Sequence, residues 1–82
     1  MEGLALMVSE KHPALHFWFN GKKMLAAPSL TLREAMERQG ISAEENGIAV
    51  AMDGKVIPRI RWQETRISEG ARVDVLRAFA GG

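Results

Sequence analysis

The sequence predicts an α+β fold in which one main helix lies across one face of a mixed sheet of four or five strands. Two two-residue turn signals, Asn20-Gly21 and Asp53-Gly54, each lie between short apolar runs, which is typical of a β-hairpin. A helix-start pattern lies between the two hairpins, and one more apolar run follows them. A single domain with two hairpins, one helix and a last strand fits this class.

The first hairpin begins with an alternating segment. Leu15, Phe17 and Phe19 share one parity, which is the period of a strand with one buried face. Asn20-Gly21 then favours a tight turn, because both residues tolerate positive φ. The returning strand is predicted over residues 22–27.

The helix is predicted from its first turn. Thr31 is followed three residues later by Glu34, and this spacing lets each side chain accept a hydrogen bond from an unpaired backbone N–H of the helix start. Gly40 supplies a left-handed end. The inward positions, at helical spacing, are Leu32, Ala35, Met36 and Gln39.

The second half of the chain predicts the remaining strands. Residues 48–52 and 55–57 flank Asp53-Gly54 and form the second hairpin, residues 65–67 suggest one more short strand, and residues 71–79 form the last and longest strand. If the first and last strands lie side by side in the middle of the sheet, the crossover makes them parallel and the hairpins flank them. That is the β-grasp arrangement.

The domain boundaries follow from the same pattern. Residues 1–13 show no sustained period and are interpreted as a flexible N-terminal tail, with an extra edge strand from 4–8 as the alternative. Residues 14–80 form the β-grasp domain, and residues 81–82 form a flexible Gly-Gly tail.

Composition excludes several kinds of site. A domain of 82 residues buries only roughly 60% of its unfolded surface, so an enclosed enzyme pocket is not expected. The absence of Cys excludes disulfides, iron–sulfur clusters and thiol nucleophiles, and two His residues make a weak case for a metal. We expect no catalytic residues, no metal site and no bound cofactor. Glu44-Glu45 is interpreted as part of a solvated loop.

Charge and hydropathy also limit location and partners. The chain has 11 Lys and Arg against 10 Asp and Glu, and the interleaved charges argue against a nucleic-acid partner. No apolar run approaches the roughly 20 residues of a transmembrane helix, and the N-terminus lacks the pattern of a secretion signal. A cytoplasmic protein without a membrane partner is therefore expected.

The last residues of the sequence, Ala80-Gly81-Gly82, contain no side chain that a strand would use. A terminal carboxylate has a reference pKa of about 3.3–3.7 and is ionised at neutral pH, so it can attack an electrophile such as the α-phosphate of ATP without a base. Two glycines also give a thin end that can enter a narrow cleft. On the dipeptide alone, a frayed terminus or a cloning remnant remains an alternative.

The wider motif set resembles the ThiS family, the small sulfur carriers of thiamine biosynthesis, which share the ubiquitin-like β-grasp fold. The residues that carry the resemblance are Phe19-Asn20 at the first turn, the run Val56-Ile57-Pro58-Arg59 followed by Trp62, Gly70 before the last strand, and Ala80-Gly81-Gly82. The Pro-Arg-x-x-Trp element is fairly specific when it precedes a Gly-Gly end.

The resemblance implies a carrier and not an enzyme. A ThiF-type adenylyltransferase would use ATP to adenylate the carboxylate of Gly82, and a cysteine-desulfurase-derived sulfur donor would displace AMP to leave a thiocarboxylate. Gly81 and Ala80 would form the tail that enters the partner. A ThiG-type thiazole synthase would then receive the sulfur. Two alternatives stay open: a carrier for molybdopterin or another thiolation pathway, and a non-catalytic β-grasp binding module.

Four residues are candidates for docking such partners. Trp18, Leu76 and Ala78 have the parity opposite to the core positions of their strands, so they are expected to form an apolar patch on the open face near the tail. Alternatively, the N-terminal tail, a crystal contact or a dimer contact covers this patch, or Trp18 lies over the aliphatic part of a Lys. Arg59 could meet an acidic partner surface or pair with a local carboxylate or backbone carbonyl. Trp62 is interpreted as a core residue under a loop.

Overall fold

The computed structural model describes residues 14–77. The expectations for residues 1–13 and 78–82 lie outside the described residues. Five candidates for the site or the last strand fall there: Ala78, Phe79, Ala80, Gly81 and Gly82.

The described chain contains five strands, one α-helix and one 3₁₀ turn. Their bounds are β1 (Leu15–Phe19), β2 (Lys22–Ala26), α1 (Leu32–Arg38), β3 (Ile48–Met52), β4 (Lys55–Ile57), a 3₁₀ turn (Arg59–Arg61) and β5 (Arg72–Arg77). The predicted order of hairpin, helix, hairpin and final strand is confirmed.

The strands form one mixed sheet in the order β2-β1-β5-β3-β4. The central strands β1 and β5 are parallel, with Trp18 opposite Arg72 and Phe19 opposite Val73, and the other three pairings are antiparallel. The first and last strands are therefore neighbours in the middle of the sheet, as the sequence predicts. This is the β-grasp arrangement.

Both hairpin turns hold β5 as well as their own strands. Asn20-Gly21 and Asp53-Gly54 have positive φ at both central residues, which matches the twist of the flanking strands. The Asn20 side-chain oxygen accepts from the backbone N–H of Val75 at 2.8 Å, and the Asp53 carboxylate accepts from that of Arg72 at 2.9 Å. The two turns thus contribute to the placement of the central strand.

The helix starts with the predicted capping box. The Thr31 hydroxyl accepts from the Glu34 N–H at 3.2 Å, and the Glu34 carboxylate accepts from the Thr31 N–H at 2.9 Å. Gly40 has φ +80, the left-handed conformation that its position after the helix was predicted to need.

One hydrophobic core lies between α1 and one face of the sheet. Trp62 is 2% exposed and belongs to this core, so its structural interpretation is confirmed. The other buried apolar residues are Phe17, Phe19, Ala26, Leu30, Leu32, Ala35, Met36, Ile41, Ala43, Val50, Ile67, Ala71 and Val73.

The short strand predicted over residues 65–67 is wrong. This segment forms a single bridge, between Arg66 and Thr31, and does not join the sheet. The Thr65 carbonyl accepts from Leu32 N–H at 2.7 Å, and the Ile67 N–H donates to the Leu30 carbonyl at 2.9 Å. The segment forms these hydrogen bonds with residues 30–32, where the chain enters α1. Its extended backbone is therefore paired, although it has no neighbour in the sheet.

Candidate functional site

The candidate site lies at the end of the sheet where β5 finishes. Val50 pairs with both Val75 and Ile57, so the chain leaves β5 and β4 at the same end of the sheet. Arg77, the last described residue, lies opposite Ile48 at the start of β3. The 3₁₀ turn, the loop before β3 and the end of β5 therefore surround the point from which the tail residues continue.

α1 covers one face of the sheet, and no other element of residues 14–77 covers the opposite face, which we call the open face. Of the large apolar side chains that the described residues expose, three lie there: Leu25 (61% exposed), Val56 (72%) and Leu76 (65%). The positions that share this face by strand register are His16, Trp18, Lys23, Leu25, Ala49, Ala51, Val56, Arg72, Asp74 and Leu76.

The predicted docking residue Leu76 has apolar neighbours that the sequence analysis did not include. Ala49 lies opposite Leu76, and Ala51, two residues further along β3, lies opposite Val56. We call these four residues the Leu76 patch. The available signal was the alternation in residues 48–52, which already puts both alanines on the face opposite Val50.

The structure does not bring Trp18 next to Leu76. Trp18 lies opposite Arg72, four residues before Leu76 on β5, which corresponds to about 13 Å along the strand. The Lys23 ammonium lies 5.9 Å from the centre of the Trp18 ring. Trp18 is half-buried and is close to a Lys, but the contact is with the ammonium group and not with the aliphatic part of the side chain. Trp18 does not extend the Leu76 patch.

Arg59 is bound within the chain. Its guanidinium donates to the carbonyl of Ala43 and, at 2.8 Å, to the carbonyl of Glu45. It also lies 4.7 Å from the centre of the Trp62 ring, whose Nε1 donates to the Ile57 carbonyl at 2.8 Å. Of the expectations for Arg59, pairing with local carbonyls is the one that the structure describes.

Glu45 and Arg77 form a two-point ion pair at the end of β5. Arg77 Nε lies 2.8 Å from Glu45 Oε2, and Nη2 lies 3.4 Å from Oε1. The hydrogen bonds from Arg77 lower the pKa of the Glu45 carboxyl, and Glu45 raises the pKa of the Arg77 guanidinium. The solvated-loop interpretation missed this pair, since the sequence gives no sign that residues 45 and 77 meet.

A cleft of about 470 Å³ lies between α1 and the 3₁₀ turn, with Arg33, Glu44, Ile60 and Trp62 among its lining residues. Arg33 is held there by two carboxylates, Glu37 at 3.0 Å and Glu44 at 3.2 Å, which raise the pKa of its guanidinium. The Arg33 guanidinium in this cleft is therefore already paired with carboxylates of the same chain.

Two further kinds of feature are absent from residues 14–77. No group of three or more His, Cys, Asp or Glu side chains within that range has the geometry to hold a metal ion. The helices in the described part of the chain are too short and too polar to cross a membrane.

Comparisons with known proteins agree on one family. The model of the ThiS family matches residues 17–82. The Sulfur carrier protein ThiS of Escherichia coli (strain K12) is 27% identical over 64 residues, which are 78% of this chain and 94% of that protein. The crystal structure of the thiamine biosynthesis protein ThiS from Geobacter metallireducens aligns with a TM-score of 0.68 and 26% identity, over 83% of this chain and all of that one.

Proposed function

The chain belongs to the ThiS family, and from this we propose that it is a sulfur carrier of thiamine biosynthesis in which Gly82 holds the sulfur. The observation that carries the proposal is the family match itself, because it extends to residue 82 and includes both terminal glycines. The sulfur-carrier name of the Escherichia coli relative supports the same function.

The chemistry starts from an ionised carboxylate. Gly82 O⁻ attacks the α-phosphate of ATP on a ThiF-type adenylyltransferase, pyrophosphate leaves, and a mixed anhydride forms. A persulfide derived from a cysteine desulfurase then displaces AMP to form an acyl disulfide, and a thiol reductant cleaves the S–S bond to leave a thiocarboxylate. The thiocarboxylate passes its sulfur to a ThiG-type thiazole synthase. The ATP belongs to the activating partner, and this chain acts as a co-substrate and not as an enzyme. Because activation consumes ATP, we expect these steps in the cytoplasm.

The number of residues after β5 supports delivery of the C-terminal carboxylate into a partner. Five residues follow Arg77, and in an extended conformation they span at most about 17 Å. Ala80, Gly81 and Gly82 carry little or no side chain, so a narrow channel can admit them. The folded body then remains outside, where it needs a surface to dock.

We propose the Leu76 patch as that docking surface. It lies on the open face at the end of the sheet that precedes the tail, and two of its members, Val56 and Leu76, are 72% and 65% exposed. Apolar side chains at the centre of an interface contribute most when they become fully buried. Trp18 and Arg59 have less support as docking residues, because Trp18 contacts Lys23 and Arg59 binds the Glu45 carbonyl within the chain. Ala78 follows two residues after Leu76 and would extend the patch toward the tail.

Intact-mass spectrometry tests the carrier function. The protein is incubated with ATP, a ThiF-type enzyme, a desulfurase-based sulfur donor and a thiol reductant, and the expected product has one C-terminal oxygen replaced by sulfur. A variant without Gly82 and a variant with one residue added after it are the controls, and neither should be converted. An unmodified wild-type mass with several activating enzymes would contradict the proposal and favour a binding module.

Complementation separates thiamine biosynthesis from other thiolation pathways. Expression in a strain that lacks its own ThiS should restore growth without thiamine, whereas a strain that lacks its molybdopterin carrier should not be rescued. Rescue of only the second strain would assign the chain to molybdopterin synthesis instead.

A further inference from the structure

The end of β5 has a strand partner on one side only. The described pairing with β1 ends at Val73, and the Asn20 side chain then binds the Val75 N–H. Pairing with β3 continues to Arg77. The last two described residues of β5 therefore depend on β3 and on side-chain contacts for their direction.

Those contacts come from one connected set. Glu45 holds the Arg77 guanidinium at two points, and the Glu45 backbone carbonyl accepts from Arg59 at 2.8 Å. Arg59 in turn lies 4.7 Å from the ring centre of the buried Trp62. From this we propose that Glu45 and Arg59 are positioning residues, which fix the end of β5 and thereby the direction in which the sulfur-bearing tail leaves the sheet. This inference rests on the carrier function proposed above.

These contacts explain why Arg and Trp are three residues apart in the Pro-Arg-x-x-Trp element. A 3₁₀ turn has three residues per turn, so the side chains at positions i and i+3 lie one above the other. Residues 59–61 form such a turn, and this places the Arg59 guanidinium over the Trp62 indole. The indole is held by the core and by its hydrogen bond to the Ile57 carbonyl, so Arg59 has a rigid support from which to hold the loop at Glu45.

The proposed role concerns direction and not stability. The side chains of Arg77 and Glu45 are 53% and 35% exposed, and ion pairs in contact with water contribute little to unfolding. A tail that must deliver one carboxylate to a phosphate is sensitive to direction, because small misplacements of reacting groups lower rates strongly.

Backbone ¹⁵N relaxation tests directly whether Glu45 and Arg59 fix the end of β5. The amides of Leu76, Arg77 and Ala78 are compared in the wild type, Glu45→Gln, Arg77→Gln and Arg59→Gln, and we expect lower order at these amides in all three variants. Glu44→Gln is the matched control, since the neighbouring carboxylate pairs with Arg33 and should leave β5 unchanged. Unchanged order at Arg77 and Ala78 in Glu45→Gln would overturn the proposal.

Adenylation kinetics test the consequence. We expect Glu45→Gln to lower kcat for transfer of AMP to Gly82 about three- to tenfold, with the dissociation constant of the docked complex unchanged. Because Glu45 and Arg77 act through one ion pair, kcat of the Glu45→Gln/Arg77→Gln double variant should lie within about twofold of that of either single variant. Additive losses, or a weaker complex for Arg77→Gln alone, would show that Arg77 contacts the partner directly and would overturn the positioning role.

The relaxation and kinetic experiments together also distinguish failure of the positioning role from failure of the carrier function. If the wild type is not adenylated by any activating enzyme, the carrier function fails, and the relaxation data still decide whether Glu45 and Arg59 anchor the end of β5. If the wild type is adenylated but Glu45→Gln has normal order and normal kcat, the carrier function stands and the positioning role is refuted.

Discussion

Truncation of Leu76 should weaken binding to the activating enzyme without loss of the fold. Leu76 is 65% exposed, so Leu76→Ala removes few contacts from the folded domain, and the midpoint of thermal unfolding should change little. Leu76→Asp should weaken the complex further, because a carboxylate would have to lose its water in the interface.

The size of the effect follows from the area still available for burial. Complete burial of a leucine side chain contributes about 1.5–3 kcal/mol. If the partner covers the fraction that the isolated domain leaves exposed, 65% of that range corresponds to about 1–2 kcal/mol. The dissociation constant should therefore rise about five- to thirtyfold in Leu76→Ala.

Isothermal titration calorimetry with the adenylyltransferase measures this constant. Leu25→Ala is the matched control, because Leu25 is the same residue type, is 61% exposed and lies on the same open face. Leu25 lies on the edge strand β2 and pairs with His16 of β1, which places it about 20 Å from Leu76 along the strand direction. Equal binding of wild type and Leu76→Ala, or an equal loss in Leu25→Ala, would refute docking through the Leu76 patch.

Three further predictions concern stability and ionisation. Trp62→Phe should lower the free energy of unfolding by about 1–3 kcal/mol in urea titrations, because the Ile57 carbonyl loses its donor; an unchanged midpoint would contradict this role of the indole. Gly40→Ala should cost about 1–2 kcal/mol, since φ is +80 there, and Gly40→Asn should cost less; equal losses would refute backbone strain as the cause. The pKa of Glu45 lies below its usual value of 4.5, so the contribution of its ion pair is complete above that pH and is lost as the pH falls through the lower folded-state pKa. A ¹³C titration should show that pKa move back toward 4.5 in Arg77→Gln, and no movement would contradict the assigned cause.

Local chemistry made most of the fold predictable. The turns at Asn20-Gly21 and Asp53-Gly54 and the helix start at Thr31 depend on neighbouring residues, so the sequence contains the information directly. The parallel central pair followed from the connectivity of those elements. Residues 65–67 have the same extended pattern as a strand, but their partner is the approach to α1, and the choice of partner depends on tertiary packing.

The candidate site was less predictable because it depends on register between distant segments. Alternation assigned Trp18 and Leu76 to the same face, but only the pairing of Trp18 with Arg72 shows how far apart they lie. Likewise, nothing in the sequence indicates that Glu45 meets Arg77, since 32 residues and an irregular loop separate them. The role proposed for Ala80, Gly81 and Gly82, by contrast, depends on family resemblance and not on register.

The hold of both hairpin turns on β5 has a consequence for the order of folding. Each hairpin closes within a few residues, whereas contacts of β5 with β1 join residues more than fifty positions apart, and such distant contacts form late. An isolated hairpin is at best marginally stable in water, so the arrival of β5 joins two weak halves into one cooperative unit. The Leu76 patch combines residues of β3, β4 and β5, and it exists only after that step. An activating enzyme that binds this patch would therefore discriminate against unfinished chains, and sulfur would be loaded only onto molecules that have completed folding.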